Sequence, residues 1–310
     1  MERQAPAKLN LGLKILGRRP DGFHELESIF VPLQLADRLC MEVADRDNFS
    51  CSDPALPMDE NNLVVKALRL WREESHGRGR PLCHQAVQLH LHKNIPAGAG
   101  LGGGSSDAAA CLLLLEEHLG DGDPGFPLAE LALKLGSDVP FFLQSDWCHV
   151  TGRGEILTPI EPLFQDAVVV LWPGLHVSTG WAYAELSRWL TKQGAYASFH
   201  GSHDFVNGHA DPSTWPENDF ETVVFAAHPQ LREAKALLKR MGARFAAMSG
   251  SGSALFALFE DLQTARLVAQ ELQSRYPVVV STLPLDTSPS GKAEKGEADA
   301  HYRGPCQPAS

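Results

Sequence analysis

Residues 96–107 read Pro-Ala-Gly-Ala-Gly-Leu-Gly-Gly-Gly-Ser-Ser-Asp, with five glycines in the seven positions from 98 to 104. Glycine costs a helix or strand interior about 0.5–1 kcal/mol relative to alanine, so this run must be a loop with positive φ angles or close backbone approach. Residues 86–92 before it alternate apolar and polar as a strand does, and residues 108–119 after it form an apolar run at helical spacing that ends at Gly120. Strand, glycine loop and helix start together gather unpaired backbone N–H groups at the positive end of a helix dipole, which suits a polyphosphate. Ser105 and Ser106 stand at the entrance of that helix, where a hydroxyl can cap it or turn toward phosphate or a phosphate-bound Mg²⁺. Asp107 reads as a first-turn carboxylate favoured by the dipole.

Two other phosphate loops are tested by the same residues. The Walker loop is excluded because no Gly-Lys-Ser/Thr ending follows. Gly98, Gly100 and Gly103 satisfy G-x-G-x-x-G, but the acidic residue that a dinucleotide-binding unit needs at the end of its second strand is missing. Asp121 and Asp123 fall in a Gly/Pro-rich stretch instead.

Elsewhere helical and strand patterns mix. Residues 7–16 read as a strand, 17–22 as a turn leading to a second strand, 60–71 as a helix, and 128–135 as a helix stopped by Gly136. From about residue 167 the chain begins afresh with a strand at 168–171, helices near 180–190 and 229–241, a hairpin-like 245–259 and a helix over 265–274. At 310 residues two domains are expected. The boundaries predicted are 1–160 for a domain that carries the glycine loop and 161–285 for a second domain, with 286–310 too rich in Gly, Ser, Pro, Lys and Glu to bury a core. Residues 191–216 have little periodicity and read as a long surface excursion.

A formal charge of 27 minus 38, or −11, argues against nucleic acid or an anionic membrane as partner, and no apolar run approaches the length of a bilayer crossing. The six cysteines are scattered without a C-x-x-C pair, and the first strand begins too early to leave room for a leader. A cytoplasmic protein with reduced thiols is expected. His90 and His92 alternate on one strand face but read as ordinary strand residues, so no protein-held metal is expected. Nothing indicates an obligate protein partner.

The number of fixed positions in Pro-x-Gly-x-Gly-Leu-Gly-Gly-Gly-Ser-Ser-Asp-Ala-Ala resembles the second motif of the GHMP kinases. Ser249-Gly-Ser-Gly-Ser253 before an apolar strand looks like their third motif. Ala5-Pro-Ala-Lys-Leu-Asn-Leu-Gly-Leu13 and Asp21-Gly-Phe-His-Glu25 resemble the opening segments of the diphosphocytidyl-methylerythritol kinases within that family. The resemblance runs from about residue 5 to 283. It implies an α+β, two-domain GHMP kinase fold, with an N-terminal domain like the second domain of ribosomal protein S5 and a ferredoxin-like C-terminal domain. It also implies transfer of phosphate from ATP, with Mg²⁺ carried on the nucleotide, to the 2-hydroxyl of a small cytidylyl substrate in the non-mevalonate isoprenoid route.

Carried over residue by residue, the resemblance implies Asp138, in Leu-Gly-Ser-Asp-Val-Pro, as the catalytic carboxylate and Lys8 as its cationic partner. A positioned base typically contributes about 10²- to 10⁴-fold; outside the family, an aspartate just after Gly136 would read as a helix cap. Asn10 lies two residues from Lys8 on the same strand face and is implied at the substrate. ATP is implied at Asn62, Lys93, Pro96, Ala97, Gly98, Ala99, Gly100, Leu101, Gly102, Gly103, Gly104, Ser105 and Ser106; apart from the family, Asn62 reads as a helix start and Lys93 as an exposed strand end. Cytosine is implied between Phe23 and a second aromatic residue, Tyr183 or its neighbour Trp181, with His24 reading its polar edge. Departures from the pattern are Phe23 in place of the more frequent tyrosine, the longer excursion and the extra tail.

Overall fold

The structure is a computed structural model that describes residues 1–193 and 215–285. The tail and most of the excursion read from the sequence lie outside those residues. Strands β1 (Glu2–Arg18), β2 (His24–Val43), β3 (Asn48–Cys51), β4 (Val87–His92), β5 (Cys148–Thr151) and β6 (Ile156–Pro159) make a six-stranded sheet in the order β3-β4-β2-β5-β6, with β1 also paired to β2. Only β3 and β4 run parallel. Helices α1 (Leu63–Gly77), α2 (Gly103–Leu119) and α3 (Leu128–Leu135) and a 3₁₀ turn (Val139–Leu143) belong to this half.

Strands β7 (Ala167–Trp172), β8 (Phe245–Met248), β9 (Leu255–Phe259) and β10 (Val278–Thr282) form an antiparallel sheet in the order β10-β7-β9-β8. With α4 (Thr179–Gln193), α5 (Phe220–Ala227) and α6 (Pro229–Arg240) before β8, and α7 (Leu262–Leu272) before β10, the strand order is that of a ferredoxin-like unit. Among the described residues no helix is long and apolar enough to cross a membrane.

The sequence pattern explains most elements and misses one device. Residues 7, 9, 11, 13 and 15 are all apolar, as one strand face would require. In the structure Ala7, Leu9 and Leu11 pack with Ile29, Val31 and Leu33 against Val168, Val170, Phe256 and Leu258 of the second sheet, whereas Leu13 and Ile15 pack into the helix-covered core. The exchange of faces occurs at a register shift around Gly12, whose φ is +67°. A Cβ there would lie 2.5 Å from Pro216 Cγ, so only glycine lets the later chain press on β1 at this point.

That later chain is bound closely. Leu13 and Asn218 form a parallel bridge, Asp219 N donates to Leu13 O at 2.9 Å, and Lys14 Nζ lies 2.7 Å from Asp219 Oδ1. Trp215, read from sequence as part of a surface excursion, is 5% exposed and sits among Phe164 and Phe245, because the seam between the sheets accepts a large ring.

Of the boundaries that differ from the sequence pattern, two are instructive. Helix α1 begins at Leu63, not residue 60, because Asn62 caps it, its Oδ1 accepting from Val64 N at 2.9 Å. Helix α2 begins at Gly103, five residues before its apolar run, because tertiary contacts hold the glycines that propensity alone would leave out.

Candidate active site

The glycine loop between β4 and α2 is organised by what takes its carbonyls. Ala99 O accepts from Ala254 N, Gly100 O from Ser249 Oγ, Leu101 O from Lys8 N and Gly102 O from Ser106 N, each at 2.9 Å. Four successive carbonyls are thus turned into the protein. The N–H groups of residues 98–102 donate to nothing among the described residues. Gly98, Gly100 and Gly102 alternate at φ of +64°, +83° and +73° with ordinary residues between them, the backbone pattern of an anion-binding nest. A Cβ on Gly100 would stand 2.2 Å from Ser249 O, so the third-motif turn can touch the loop only at a glycine.

The helix that follows has Gly102 at its N-cap and no side-chain cap bond, so neither Ser105 nor Ser106 caps it. Ser106 Oγ is buried without a hydrogen-bond partner. Pro96, Gly103 and Ser105 are half-buried, Ala97, Gly98 and Gly104 exposed, and Ala99 and Leu101 buried. Among the described residues no group of three or more His, Cys, Asp or Glu is placed to hold a metal ion. His90 instead shares a hydrogen bond with Ser50 Oγ at 2.7 Å and meets the ring of His92 edge-on.

Lys8 reaches this loop from β1. Its Nζ lies 3.2 Å from Asp138 Oδ2, donates to Asn10 Oδ1 at 2.6 Å and stands 4.2 Å from the centre of the Phe30 ring. Lys8 is 4% exposed, while the Asp138 side chain is 34% exposed and so accessible to a ligand. Asp138 occupies the N-cap position of the 3₁₀ turn but makes no capping bond, which leaves its carboxylate to Lys8 and the cleft. Asn10 is buried, its Nδ2 donating to Ser28 Oγ at 3.1 Å and its backbone N to Ser249 Oγ at 3.3 Å. Its carboxamide therefore braces Lys8 from behind.

Lys93 and Asn62 are differently engaged. The Lys93 ammonium, 6% exposed, bridges Asp37 Oδ2 and Asp107 Oδ2, the latter at 2.8 Å, beneath the loop. Asp37 Oδ1 also accepts from Asn94 N at 2.5 Å and Ile95 N at 2.8 Å. Asn62 both caps α1 and donates to Pro57 O at 3.0 Å. Asp107 is thus one arm of an interior cluster with Lys93 and Asp37 and not a carboxylate on the first helical turn.

One ammonium cannot neutralise two buried carboxylates. Burial pushes Asp107 from its ordinary 3.8 up to about 8, against the attraction of Lys93 and with the repulsion of Asp37. A carboxyl that holds its proton more tightly folded than unfolded stabilises the fold in acid and loses that contribution as pH rises from about 4 through about 8. Asp107→Asn keeps the shape without the titration. Its melting temperature should gain on that of the unaltered protein as pH is raised from 5 to 9, and a constant difference across that range would show that Asp107 stays ionised.

The aromatic residues separate into two groups. His24 stacks on Tyr183 with ring centroids 4.9 Å apart at 24°, and Tyr183 meets Phe220 edge-on. His24 Nε2 lies 2.6 Å from Ser187 Oγ, and burial, with Arg18 adding to it, lowers the imidazole pKa. Burial raises the Tyr183 phenol, and the charge of Asp138 raises it further. Trp181 faces His228 and the groove between α4 and α5. Phe23 is 52% exposed, with the guanidinium of Arg153 4.6 Å from its ring centre.

Several residues of this site carry no sequence signal. Asn218, 2% exposed, donates from Nδ2 to Met248 O at 2.8 Å and Gly250 O at 2.7 Å while its Oδ1 accepts from Phe220 N, so one carboxamide holds the third-motif turn on α5. It stands beside an aperiodic stretch, and Asp37 and Ser28 sit within a strand; nothing local marks any of the three.

Comparison with known proteins gives a consistent picture. The family described as GHMP kinases N terminal domain matches residues 62–146, and that described as GHMP kinases C terminal matches residues 207–278. A 4-diphosphocytidyl-2-C-methyl-D-erythritol kinase of Chlorobium chlorochromatii is 38% identical over 280 residues, covering 89% of this chain and 94% of that protein. One of Solibacter usitatus is 42% identical over 265 residues, covering 83% and 81%. A crystal structure of 4-(cytidine 5'-diphospho)-2C-methyl-D-erythritol kinase superposes with a TM-score of 0.77 at 37% identity, covering 92% of this chain and 99% of that one.

Proposed function

The chain belongs to the GHMP kinases, within the family of 4-diphosphocytidyl-2-C-methyl-D-erythritol kinases, and from that membership we propose that it phosphorylates the 2-hydroxyl of 4-diphosphocytidyl-2-C-methyl-D-erythritol with ATP, a step toward isoprenoid precursors. The observation that carries the chemistry is the Lys8–Asp138 pair at 3.2 Å beside a loop whose carbonyls at residues 99–102 are all taken by protein donors.

In this reading the free N–H groups of residues 98–102 and the start of α2 take the nucleotide phosphates. Asp138 accepts the hydroxyl proton as the oxygen attacks the terminal phosphorus, the bond to the bridging oxygen breaks and ADP leaves. Lys8 fixes the carboxylate and offsets charge on the transferring group, and Asn10 orients Lys8. Mg²⁺, which would neutralise phosphate charge, fits as a passenger on ATP, and the buried and unpartnered Ser106 hydroxyl is a protein oxygen at the loop that could meet it. Lys93 braces the loop through Asp37 and Asp107, and Asn62, at the cap of α1, lies on the adenine side of the nucleotide. The 2-hydroxyl is offered by a substrate whose cytosine lies against Tyr183, His24 and Phe23.

Phe23→Ala and Tyr183→Ala should each raise KM for the cytidylyl substrate about five- to a hundredfold, as expected for ring contacts worth about 1–3 kcal/mol, with KM for ATP little changed. Phe23→Tyr should be nearly silent. His24→Ala should relax discrimination between cytosine and uracil, because a hydrogen-bonding edge is lost. A coupled kinase assay decides the reading as a whole: equal turnover of methylerythritol without its cytidylyl group would hand the chain to a sister GHMP activity.

A further inference from the structure

A substrate that spans the pyrimidine site and Asp138 must lay its diphosphate between them, in a protein of net charge −11. The nest is taken by ATP, so a second group of donors is needed. The cations nearest this path are mostly committed. Lys8 is held by Asp138 and Asn10, Lys14 by Asp219, and Arg19 by Asp21 at 3.2 Å and Glu25 at 2.6 Å.

The turn between β5 and β6 offers a different arrangement. Gly152 O accepts from Leu26 N at 2.8 Å, which fastens the turn beside the segment that carries Phe23 and His24. Two residues on, the position of a Cβ on Gly154 lies 3.5 Å from Asp138 Oδ1. Between these anchors stands Arg153. Its guanidinium packs over Phe23 and reaches Glu155 through Nε at 3.5 Å, while neither terminal nitrogen has a hydrogen-bond or ion-pair partner among the described residues. Glu155 is occupied in turn by the Arg153 backbone N–H. A planar cation with two free nitrogens, resting on the ring proposed for the base and one residue from the glycine that faces the catalytic carboxylate, has the shape and charge of a diphosphate clamp.

We propose that Arg153 is a substrate-binding residue that holds the diphosphate joining base to sugar alcohol, with the Phe23 ring as its platform. This rests on the cytidylyl reading of the site. Arg153 sits in a partly exposed turn, so replacing it leaves the core intact.

The test uses the full chain with its nucleotide site filled by a non-hydrolysable ATP analogue, and titrates CDP and cytidine by calorimetry. CDP should bind the unaltered protein at least about tenfold more tightly than cytidine, and Arg153→Gln should abolish most of that preference while leaving cytidine affinity within about twofold. In turnover, Arg153→Gln should raise KM for the cytidylyl substrate about tenfold or more with KM for ATP unchanged, and Arg153→Lys should recover part of the loss. Arg18→Gln is the matched control, since Arg18 is exposed and its charge is felt by His24. The proposal is overturned if Arg153→Gln keeps the preference for CDP, if it weakens CDP and cytidine equally, or if Arg18→Gln is the variant that loses the preference. A protein that binds neither compound and turns over no cytidylyl substrate would instead refute the functional reading, and the clamp with it.

Discussion

Asp138→Asn should keep ATP and substrate binding while lowering kcat at least about a hundredfold, a loss of about 2.7 kcal/mol of transition-state stabilisation. The substitution preserves the size of the side chain and its access to the cleft, and removes only the ability to take a proton. Steady-state kinetics with both substrates varied would check it, and near-normal turnover would eliminate Asp138 as the base. Lys8→Met should also lose rate. Because Lys8 Nζ and Asp138 Oδ2 are 3.2 Å apart, the double variant should fall well short of the product of the two single losses, as expected of groups that act as a unit.

Lys93→Met should act on the fold more than on the nucleotide. The substitution leaves the Asp37 carboxylate buried beneath the glycine loop without its cation, beside Asp107, whose carboxyl holds its proton, and breaking a buried pair in this way costs about 3–5 kcal/mol. That is a large part of the roughly 5–15 kcal/mol by which a domain is stable. Denaturant unfolding near pH 7 should show the loss, and Lys93→Met with Asp37→Asn should recover part of it by removing the uncompensated carboxylate. If the single variant instead melts normally and only raises KM for ATP, the Lys93 side chain is a nucleotide contact and not a strut.

The difference between those outcomes marks how far the sequence could be read. Glycine density, an apolar helix and a strand before it mark a loop whose chemistry suits phosphate, because those signals are local and chemical. The direction in which the loop's carbonyls face is not local: their donors, Lys8, Ser249 and Ala254, come from residues about 90 positions before the loop and about 150 after it. Lys93 looks like an exposed strand end because its counter-ion Asp37 is 56 residues away. The alternation of β1 suggests one continuous face, and only the bulge at Gly12 shows that the strand serves two cores. Motif resemblance named Lys8, Asn10 and Asp138 together, but the brace behind them, Ser28, Ser249 and Asn218, has no motif of its own to betray it.

The inward carbonyls of the glycine loop also bear on how a nucleotide arrives. A cradle made of peptide dipoles has no net charge, and its attraction fades within a few ångströms, whereas the chain as a whole is an anion of formal charge −11. ATP is therefore not drawn in from a distance; beyond the Debye length of roughly 8 Å at physiological salt, neither partner feels the other strongly. Encounter is left to unsteered diffusion, and the selectivity for phosphate is exercised only on contact. In the proposed function such a loop would take one nucleotide without making the surface around it a collector of polyanions.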